Sequence, residues 1–181
     1  MDTVKAKMIL AEADCVADAA TCRAAVLRIA AEIKSSAGGD APLVLAVMGG
    51  AVVFAGQLLP LLDFPLDFDY IHVSRYGGQT TGGHLAWKVE PKEAVKDRTV
   101  IVLDDILDEG ETMHAIRERI LELGAARFLS AVFCEKDLGR AKPIKADFTG
   151  LTLPNRYVFG FGMDVSGLWR NLPAVYAVKG M

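Results

Sequence analysis

Apolar runs typical of strands alternate with helix-like spacing along the middle of the chain. The predicted strands occupy residues 43–47, 66–73, 100–103 and 127–133. Helical apolar spacing follows two of them, at residues 51–62 and 113–123. This alternation predicts an α/β protein with a parallel, doubly wound sheet flanked by helices.

The two ends and one internal segment depart from this alternation. Residues 1–34 are rich in Ala, Glu, Lys and Arg and predict one or two helices, followed by a loop at residues 35–40. Residues 74–85 are rich in Gly, Thr, Ser and Gln and predict a mobile loop, after which residues 87–89 re-enter the sheet. The tail, residues 148–178, alternates short strands with turns.

The composition limits the classes of protein to consider. A chain of 181 residues with a formal net charge of -3 suits one domain and carries no basic footprint for nucleic acid. No apolar run is long enough to span a bilayer, and no signal-like leader is present. The three cysteines, Cys15, Cys22 and Cys134, have no CxxC spacing. We therefore expect reduced thiols in a cytoplasmic protein.

The most specific chemical signal lies in residues 100–112. Asp104 and Asp105 follow a buried strand, and Asp108 opens a turn that contains Gly110 and Thr112. Ligands bind outside the carboxyl ends of strands in open α/β sheets, and helix N-termini bind phosphate. Carboxylates beside a phosphate loop would repel the phosphate, unless they hold ribose hydroxyls or a metal. The alternative is a generic strand–helix unit whose acidic and small residues only cap the helix.

This segment resembles the phosphoribosyl-pyrophosphate (PRPP) motif of the type I phosphoribosyltransferases. Three further segments resemble the hypoxanthine-guanine branch: residues 47–50 (VMGG), 74–77 (SRYG), and 154–164 (PNRYVFGFGMD) with 170–173 (RNLP). The resemblance covers roughly residues 42–179. It implies the type I phosphoribosyltransferase fold in a single domain, with a small hood built from the N- and C-terminal segments. We expect N-terminal helices at about 1–40, the core at about 41–147, and hood strands and tail at about 148–181.

The resemblance implies transfer of the 5-phosphoribosyl group from Mg²⁺-PRPP to hypoxanthine or guanine. The products would be IMP or GMP and pyrophosphate, and Mg²⁺ would be the cofactor. Members of this family are usually homodimers or homotetramers. The nearest alternative is a xanthine-preferring enzyme. A regulator that senses PRPP or nucleotides on the same fold is another, although the first 40 residues are too short and too weakly basic for a DNA-binding domain.

The resemblance also implies roles for the acidic segment. Asp104 and Asp105 would bind the ribose hydroxyls, directly or through Mg²⁺, and Asp164 would bind a second Mg²⁺ through water. Asp108 would accept the purine N7 proton as general base, although a helix N-cap is its ordinary role. The 5′-phosphate would be wrapped by Glu109, Gly110, Glu111 and Thr112. Relatives commonly carry Thr at position 109, so we expect the Glu109 carboxylate to point away from the phosphate.

Pyrophosphate would be bound from three directions. Met48 and Gly49 match the family's pyrophosphate loop, which often contains a non-proline cis peptide, although many members carry Lys at position 48. Arg75 and Tyr76 match the start of a long flexible loop, and Arg170 would also reach pyrophosphate. The alternative interpretations are an ordinary strand–helix turn, a surface loop, and a surface ion pair of Arg170 with Asp164.

Three residues would recognise the purine by resemblance. Lys136 would donate to the 6-oxo group, Tyr157 would stack on the ring, and Val158 would offer backbone groups to the base edge. Without the resemblance, Lys136 would be interpreted as a solvated surface lysine and Tyr157 as a core residue.

Overall fold

A computed structural model describes residues 1–37, 41–75 and 85–180. The described residues form two sheets. Their strands are β1 (Asp14–Ala17), β2 (Leu43–Val47), β3 (Asp67–Arg75), β4 (Leu85–Val89), β5 (Thr99–Leu107), β6 (Arg127–Asp137), β7 (Phe148–Pro154), β8 (Val158–Phe159) and β9 (Val175–Ala177). The helices are α1 (Thr3–Glu12), α2 (Ala19–Ala37), α3 (Val52–Leu58) and α4 (Glu111–Glu122), with short 3₁₀ turns at Leu59–Leu61 and Glu93–Val95.

The main sheet has six strands in the order β4-β3-β2-β5-β6-β7. All neighbouring pairs are parallel except β3 and β4, which are antiparallel. The predicted α/β class is therefore confirmed, with one antiparallel strand at the sheet edge. Residues 87–89 re-enter the sheet as predicted, within β4.

Helices cover both faces of the sheet because successive side chains of a strand point to opposite faces. On β5, Ile101 and Leu103 belong to the hydrophobic cluster that includes residues of α2 and α3, whereas Val100 and Val102 belong to the cluster that includes residues of α4. A strand buried on both faces must be apolar at every position, which is why its sequence shows no alternation. The apolar part of β5 ends at Leu103, and the acidic segment begins at Asp104, toward the carboxyl end of the same strand.

A second, three-stranded sheet in the order β1-β9-β8 forms the hood. It joins the two chain ends, since Asp14 pairs with Ala177. Two expectations need correction. Residues 14–17 lie in a strand between two helices, because pairing with the distant β9 outweighs their helix-like surroundings. Residues 148–154 are not part of the hood that the resemblance implies, but form β7 at the edge of the main sheet, paired with β6.

Membrane-spanning character is absent from the helices of the described ranges. None of them combines the length and the apolar character needed to cross a membrane.

Candidate active site

The Asp104–Asp105 pair is buried near the carboxyl end of β5. Asp104 is 8% exposed, and its Oδ1 accepts the backbone N–H of Asp105 at 2.9 Å. Burial, reinforced by the charge of Asp105, raises the pKa of Asp104 well above its ordinary value. Burial also raises the pKa of Asp105, against the opposing charge of Arg170. Two adjacent buried carboxylates with little compensation are suited to binding a cation or hydroxyl donors.

Asp108 is held by a lysine from the neighbouring strand. Its Oδ2 accepts a hydrogen bond from Lys136 Nζ at 2.8 Å. Lys136 is 13% exposed in its side chain, whereas Asp108 is 46% exposed. The contact exists because β6 continues past the predicted end at residue 133, so that Leu107 pairs with Glu135. The predicted catalytic carboxylate and the predicted purine-binding lysine are therefore direct partners.

The turn after Asp108 begins α4. Gly110 precedes the helix with φ +88°, in the left-handed region that favours glycine. A Cβ atom at Gly110 would lie 3.3 Å from Pro143 Cδ and 3.4 Å from Lys142 Cβ. Glu111 is exposed in the first turn of α4, and Thr112 follows it. This is the geometry in which helix N–H groups can bind an anion.

The carboxylate of Glu109 forms an ion pair with Arg140, and both side chains are largely exposed. Arg140, from the segment after β6, therefore compensates the negative charge that Glu109 brings to this turn. Arg140 was not identified from the sequence, because nothing in its local pattern distinguishes it from other surface arginines.

The turn after β2 lies beside the acidic pair. The Met48–Gly49 peptide bond is cis, one bond later in this loop than the bond before Met48 that the resemblance implied. The Met48 side chain packs against the hydrophobic core, while Gly49 is exposed. A Cβ atom at Gly50 would overlap the carboxylate of Asp105, so only glycine allows the turn to approach this side chain so closely. The turn therefore presents backbone rather than the side chain of Met48.

Arg170 connects the hood to the acidic pair. Its guanidinium donates to the Gly162 carbonyl at 2.6 Å and forms ion pairs with Asp164 at 2.5 Å and Asp105 at 3.9 Å. Gly162 itself packs on the Gly50 carbonyl, with which a Cβ atom would overlap. Gly162 was missed as a site residue, although it lies in the motif of residues 154–164 and its φ of +102° requires glycine.

The other two predicted pyrophosphate residues come after the body of β3. Arg75 is the last residue of that strand. Tyr76 lies outside the described residues.

Two clefts meet at Asp108. One, of about 300 Å³, is lined by residues 104–110, Thr112 and Met113. The other, of about 180 Å³, is lined by Asp105, Ile106, Asp108, Lys136, Tyr157, Val158, Met163 and Asp164. They share Asp105, Ile106 and Asp108. Ile106 and Met163 were missed as lining residues because apolar side chains carry no chemical signature in a sequence.

The second cleft brings together residues from three parts of the chain. Lys136 comes from β6, and Val158 begins β8, where it is buried. Tyr157 is exposed, and its hydroxyl donates to the Asp164 carbonyl at 3.4 Å. The predicted purine residues therefore line one pocket, next to the predicted base.

The candidate metal ligands of this region are carboxylate oxygens. Within the described ranges, no three or more His, Cys, Asp or Glu side chains are arranged to hold a metal. The available donors are the oxygens of Asp104 and Asp105, with Asp164 on the other side of Arg170. This set fits Mg²⁺, which is usually held by one or two carboxylates together with water and substrate phosphates.

Comparison with known proteins agrees with this geometry. The sequence model of the phosphoribosyl transferase domain matches residues 14–166. A hypoxanthine-guanine phosphoribosyltransferase of Lactococcus lactis is 37% identical over 142 residues, which cover 78% of this chain and 77% of the relative. A hypoxanthine-guanine-xanthine phosphoribosyltransferase of Tritrichomonas foetus is 34% identical over 85% of both chains. The chain therefore belongs to the hypoxanthine-guanine phosphoribosyltransferase family.

Solved structures show the same fold. A hypoxanthine-guanine phosphoribosyltransferase from Bacillus anthracis is 26% identical, with a TM-score of 0.82 over 91% of this chain and 98% of that one. A hypoxanthine phosphoribosyltransferase from Staphylococcus aureus has a TM-score of 0.87 over 99% of this chain and 96% of that one. At 21% identity, the second comparison supports the fold alone.

Proposed function

We propose that this protein transfers the 5-phosphoribosyl group of PRPP to hypoxanthine or guanine and releases pyrophosphate, as a purine salvage enzyme. The observation that carries the proposal is the position of Asp108 at the junction of two clefts, in contact with Lys136. One cleft has the acidic pair and the helix N-terminus that suit a sugar phosphate. The other has the apolar, aromatic and cationic groups that suit a 6-oxopurine.

The sugar phosphate would bind in the cleft of residues 104–110. Asp104 and Asp105 would accept the ribose hydroxyls, directly or together with Mg²⁺, and Asp164 would hold a second Mg²⁺ through water. When bound, Mg²⁺ neutralises charge that develops on the pyrophosphate leaving group. The backbone N–H groups of Glu109, Gly110, Glu111 and Thr112, with the Thr112 hydroxyl, would hold the 5′-phosphate.

Pyrophosphate would leave from the side of the acidic pair that faces the hood. The exposed backbone at Gly49 and the guanidinium of Arg170 are the described groups on that side. Met48 would contribute backbone only, since its side chain packs on the core. Arg75, the last residue of β3, and Tyr76, which follows it, would complete this part of the site.

The purine would enter the cleft beside Lys136. The C1′–O bond to pyrophosphate breaks as the purine N9 forms a bond to C1′, and the N7 proton passes to Asp108. An ammonium has three donors, so Lys136 can bond to Asp108 and to the 6-oxo group at once. Tyr157 would stack on the ring, and Val158 would bond the base edge through its backbone.

The same lysine explains why adenine should be rejected. The amino group at C6 of adenine presents N–H donors, whereas Lys136 offers only donors. Sites built to pair one polar group can discriminate against a mismatched analogue by about 10⁴-fold. We expect adenine to be essentially inert.

Assembly and location remain predictions from the family and the composition. We expect a cytoplasmic homodimer or homotetramer that binds neither nucleic acid nor membrane. The three cysteines are free thiols, which supports a reducing compartment.

The proposal is tested by product analysis with PRPP, Mg²⁺ and each of hypoxanthine, guanine, xanthine and adenine, using Asp108→Asn as the inactive comparison. We expect IMP and GMP from the first two purines. If xanthine were the best substrate, the result would favour the xanthine-preferring alternative. Tight PRPP binding with no turnover of any purine would favour the regulator, and efficient conversion of adenine to AMP would overturn the role of Lys136.

A further inference from the structure

Lys142 binds the backbone of Leu107 and Lys136, which line the two clefts, and it is not explained by the proposed reaction. Its side chain is 6% exposed, although lysine is almost never buried without partners. We propose that Lys142 is a positioning residue that holds Asp108 and Lys136 in register for proton transfer from the purine. This inference rests on the proposed function and concerns a residue that touches neither substrate.

The three protons of the Lys142 ammonium all find acceptors. Nζ donates to the Lys136 carbonyl at 2.6 Å, to the Leu107 carbonyl at 3.0 Å and to Glu135 Oε1 at 3.1 Å. Leu107 is the residue before Asp108. One buried cation therefore binds the backbone beside the predicted base and the backbone of the predicted purine-binding lysine.

These contacts link Asp108 and Lys136 both through their side chains and through nearby backbone. The side chains of Asp108 and Lys136 are joined at 2.8 Å, and Lys142 joins the backbone of Leu107 to that of Lys136. Leu107 is the last residue of β5, whereas Lys136 lies near the end of β6 and still pairs with Leu153 of β7. Lys142 therefore adds a connection between the end of β5 and the end of β6, next to the proposed base.

The stem of Lys142 has a separate contact. Its Cβ lies 3.4 Å from the position that a Cβ atom on Gly110 would take, so the stem packs on the phosphate turn. Methionine retains most of this stem and removes the ammonium. Lys142→Met therefore separates the effect of the cation from the packing of the phosphate turn.

Removal of the ammonium takes one donor from the Leu107 and Lys136 carbonyls and from Glu135 Oε1, while Thr149 still donates to Glu135 Oε2 at 3.4 Å. An unsatisfied buried acceptor costs more than a lost hydrogen bond, so the strand ends should shift to recover partners. Misplacement of a reacting group by about 1 Å can cost about 100-fold in rate. The loss should appear in the purine step, because both held residues face the purine.

The experiment compares steady-state kinetics of wild type, Lys142→Met and Lys145→Met, an exposed lysine of the same segment. We expect kcat/KM for hypoxanthine to fall about 10–100-fold in Lys142→Met, with KM for PRPP within about 2-fold of wild type. Lys145→Met should match wild type. In an Asp108→Asn background, Lys142→Met should cost less than about 3-fold, because residues that act as a unit are not additive.

Glu135→Gln keeps the experiment decisive if Lys142→Met does not fold. This substitution replaces the charged acceptor of Lys142 with a neutral one and keeps the ammonium in place. We expect a loss of about 3–10-fold in kcat/KM for hypoxanthine. Unchanged kinetics in the folded variants would overturn the inference, as would equal losses in the wild-type and Asp108→Asn backgrounds. Wild type that forms no IMP would instead remove the proposed function on which the inference depends.

Discussion

The three aspartates of one short segment lie in two different environments. Asp104 is buried and the Asp105 side chain is 13% exposed, and burial raises the pKa of both groups. Asp108, three residues later, is half exposed and already paired with Lys136. The fold thus leaves the first pair short of positive charge and gives the third carboxylate a permanent cationic neighbour.

In the proposed reaction, this difference separates binding of the ribose and metal from proton transfer. Buried carboxylates without full compensation destabilise the folded chain, so their retention is explained by a ligand that supplies positive charge or hydroxyl donors. Asp108 lies half exposed at the junction of two clefts, where a purine can reach it, and Lys136 orients its carboxylate. Substitutions at these and neighbouring positions test the separation, from the largest expected effect to the smallest.

Asp108→Asn should give the largest effect. It removes the proton acceptor and keeps the size of the side chain, so kcat should fall about 10²–10⁴-fold. Steady-state assays of IMP formation measure this loss. Asp137→Asn, at an exposed position at the end of β6, is the matched control and should keep full activity. Near-normal kcat in Asp108→Asn would exclude Asp108 as the base.

Lys136→Met should act mainly on the purine. Hydrogen bonds to charged groups contribute about 1.5–3 kcal/mol, so kcat/KM for hypoxanthine and guanine should fall by about 10–100-fold. KM for PRPP should change much less. Lys88→Met, exposed on β4, serves as the control. A variant that loses PRPP and purine affinity equally would show that the lysine supports the whole site rather than the base.

Gly110→Val should weaken binding of the phosphate. The residue has φ +88°, and its added side chain would meet Pro143 and Lys142. We expect IMP binding, measured by titration calorimetry, to weaken by about 10-fold or more, because valine strains the turn. Gly139→Val is the matched control, since Gly139 has φ +65° and a Cβ atom there would have no neighbour within 4 Å. Equal IMP binding in both variants would place the phosphate elsewhere.

Asp104→Asn should stabilise the ligand-free chain. The folded state raises the pKa of Asp104 above its ordinary value of 3.8, so the charged form opposes folding once the pH exceeds that value. At about pH 7 the melting temperature should rise by about 2–4 °C, the shift that roughly 1 kcal/mol produces in a chain of this size.

The gain in melting temperature of Asp104→Asn should shrink as the pH falls toward about 4. In that range the unfolded wild-type chain also becomes protonated at Asp104, so the charged carboxylate no longer opposes folding. Asp97→Asn, at an exposed turn, should show neither the gain nor its pH dependence. A melting temperature below that of wild type at neutral pH would contradict the assignment of uncompensated charge to Asp104.

The sequence predicted the parts of the molecule whose partners are close along the chain. The acidic segment needs only β5, one turn and α4, so its pattern is visible in residues 100–112. The strand at Asp14–Ala17 was missed because its partner β9 lies at the other end of the chain. β7 was assigned to the hood because its place beside β6 depends on tertiary packing.

The site residues also divide into those with a local sequence signal and those whose role depends on tertiary contacts. Lys136 was identified only through resemblance, since a lysine at a strand end has no local signal. Its contact with Asp108 depends on the length of β6 and on its register with β5. Arg140 and Lys142 were missed because ion pairs and carbonyl contacts formed after a turn are not encoded in spacing.

Affinity for PRPP in the presence of Mg²⁺ tests the separation of roles most directly. Titration calorimetry of Asp105→Asn and Asp108→Asn compares two variants of equal size that each remove one carboxylate from the same cleft. Asp108→Asn should bind PRPP within about 2-fold of wild type, whereas Asp105→Asn should lose about 10-fold or more, equivalent to about 1.4 kcal/mol. Equal losses, or a larger loss in Asp108→Asn, would contradict the division between a binding pair and a proton acceptor.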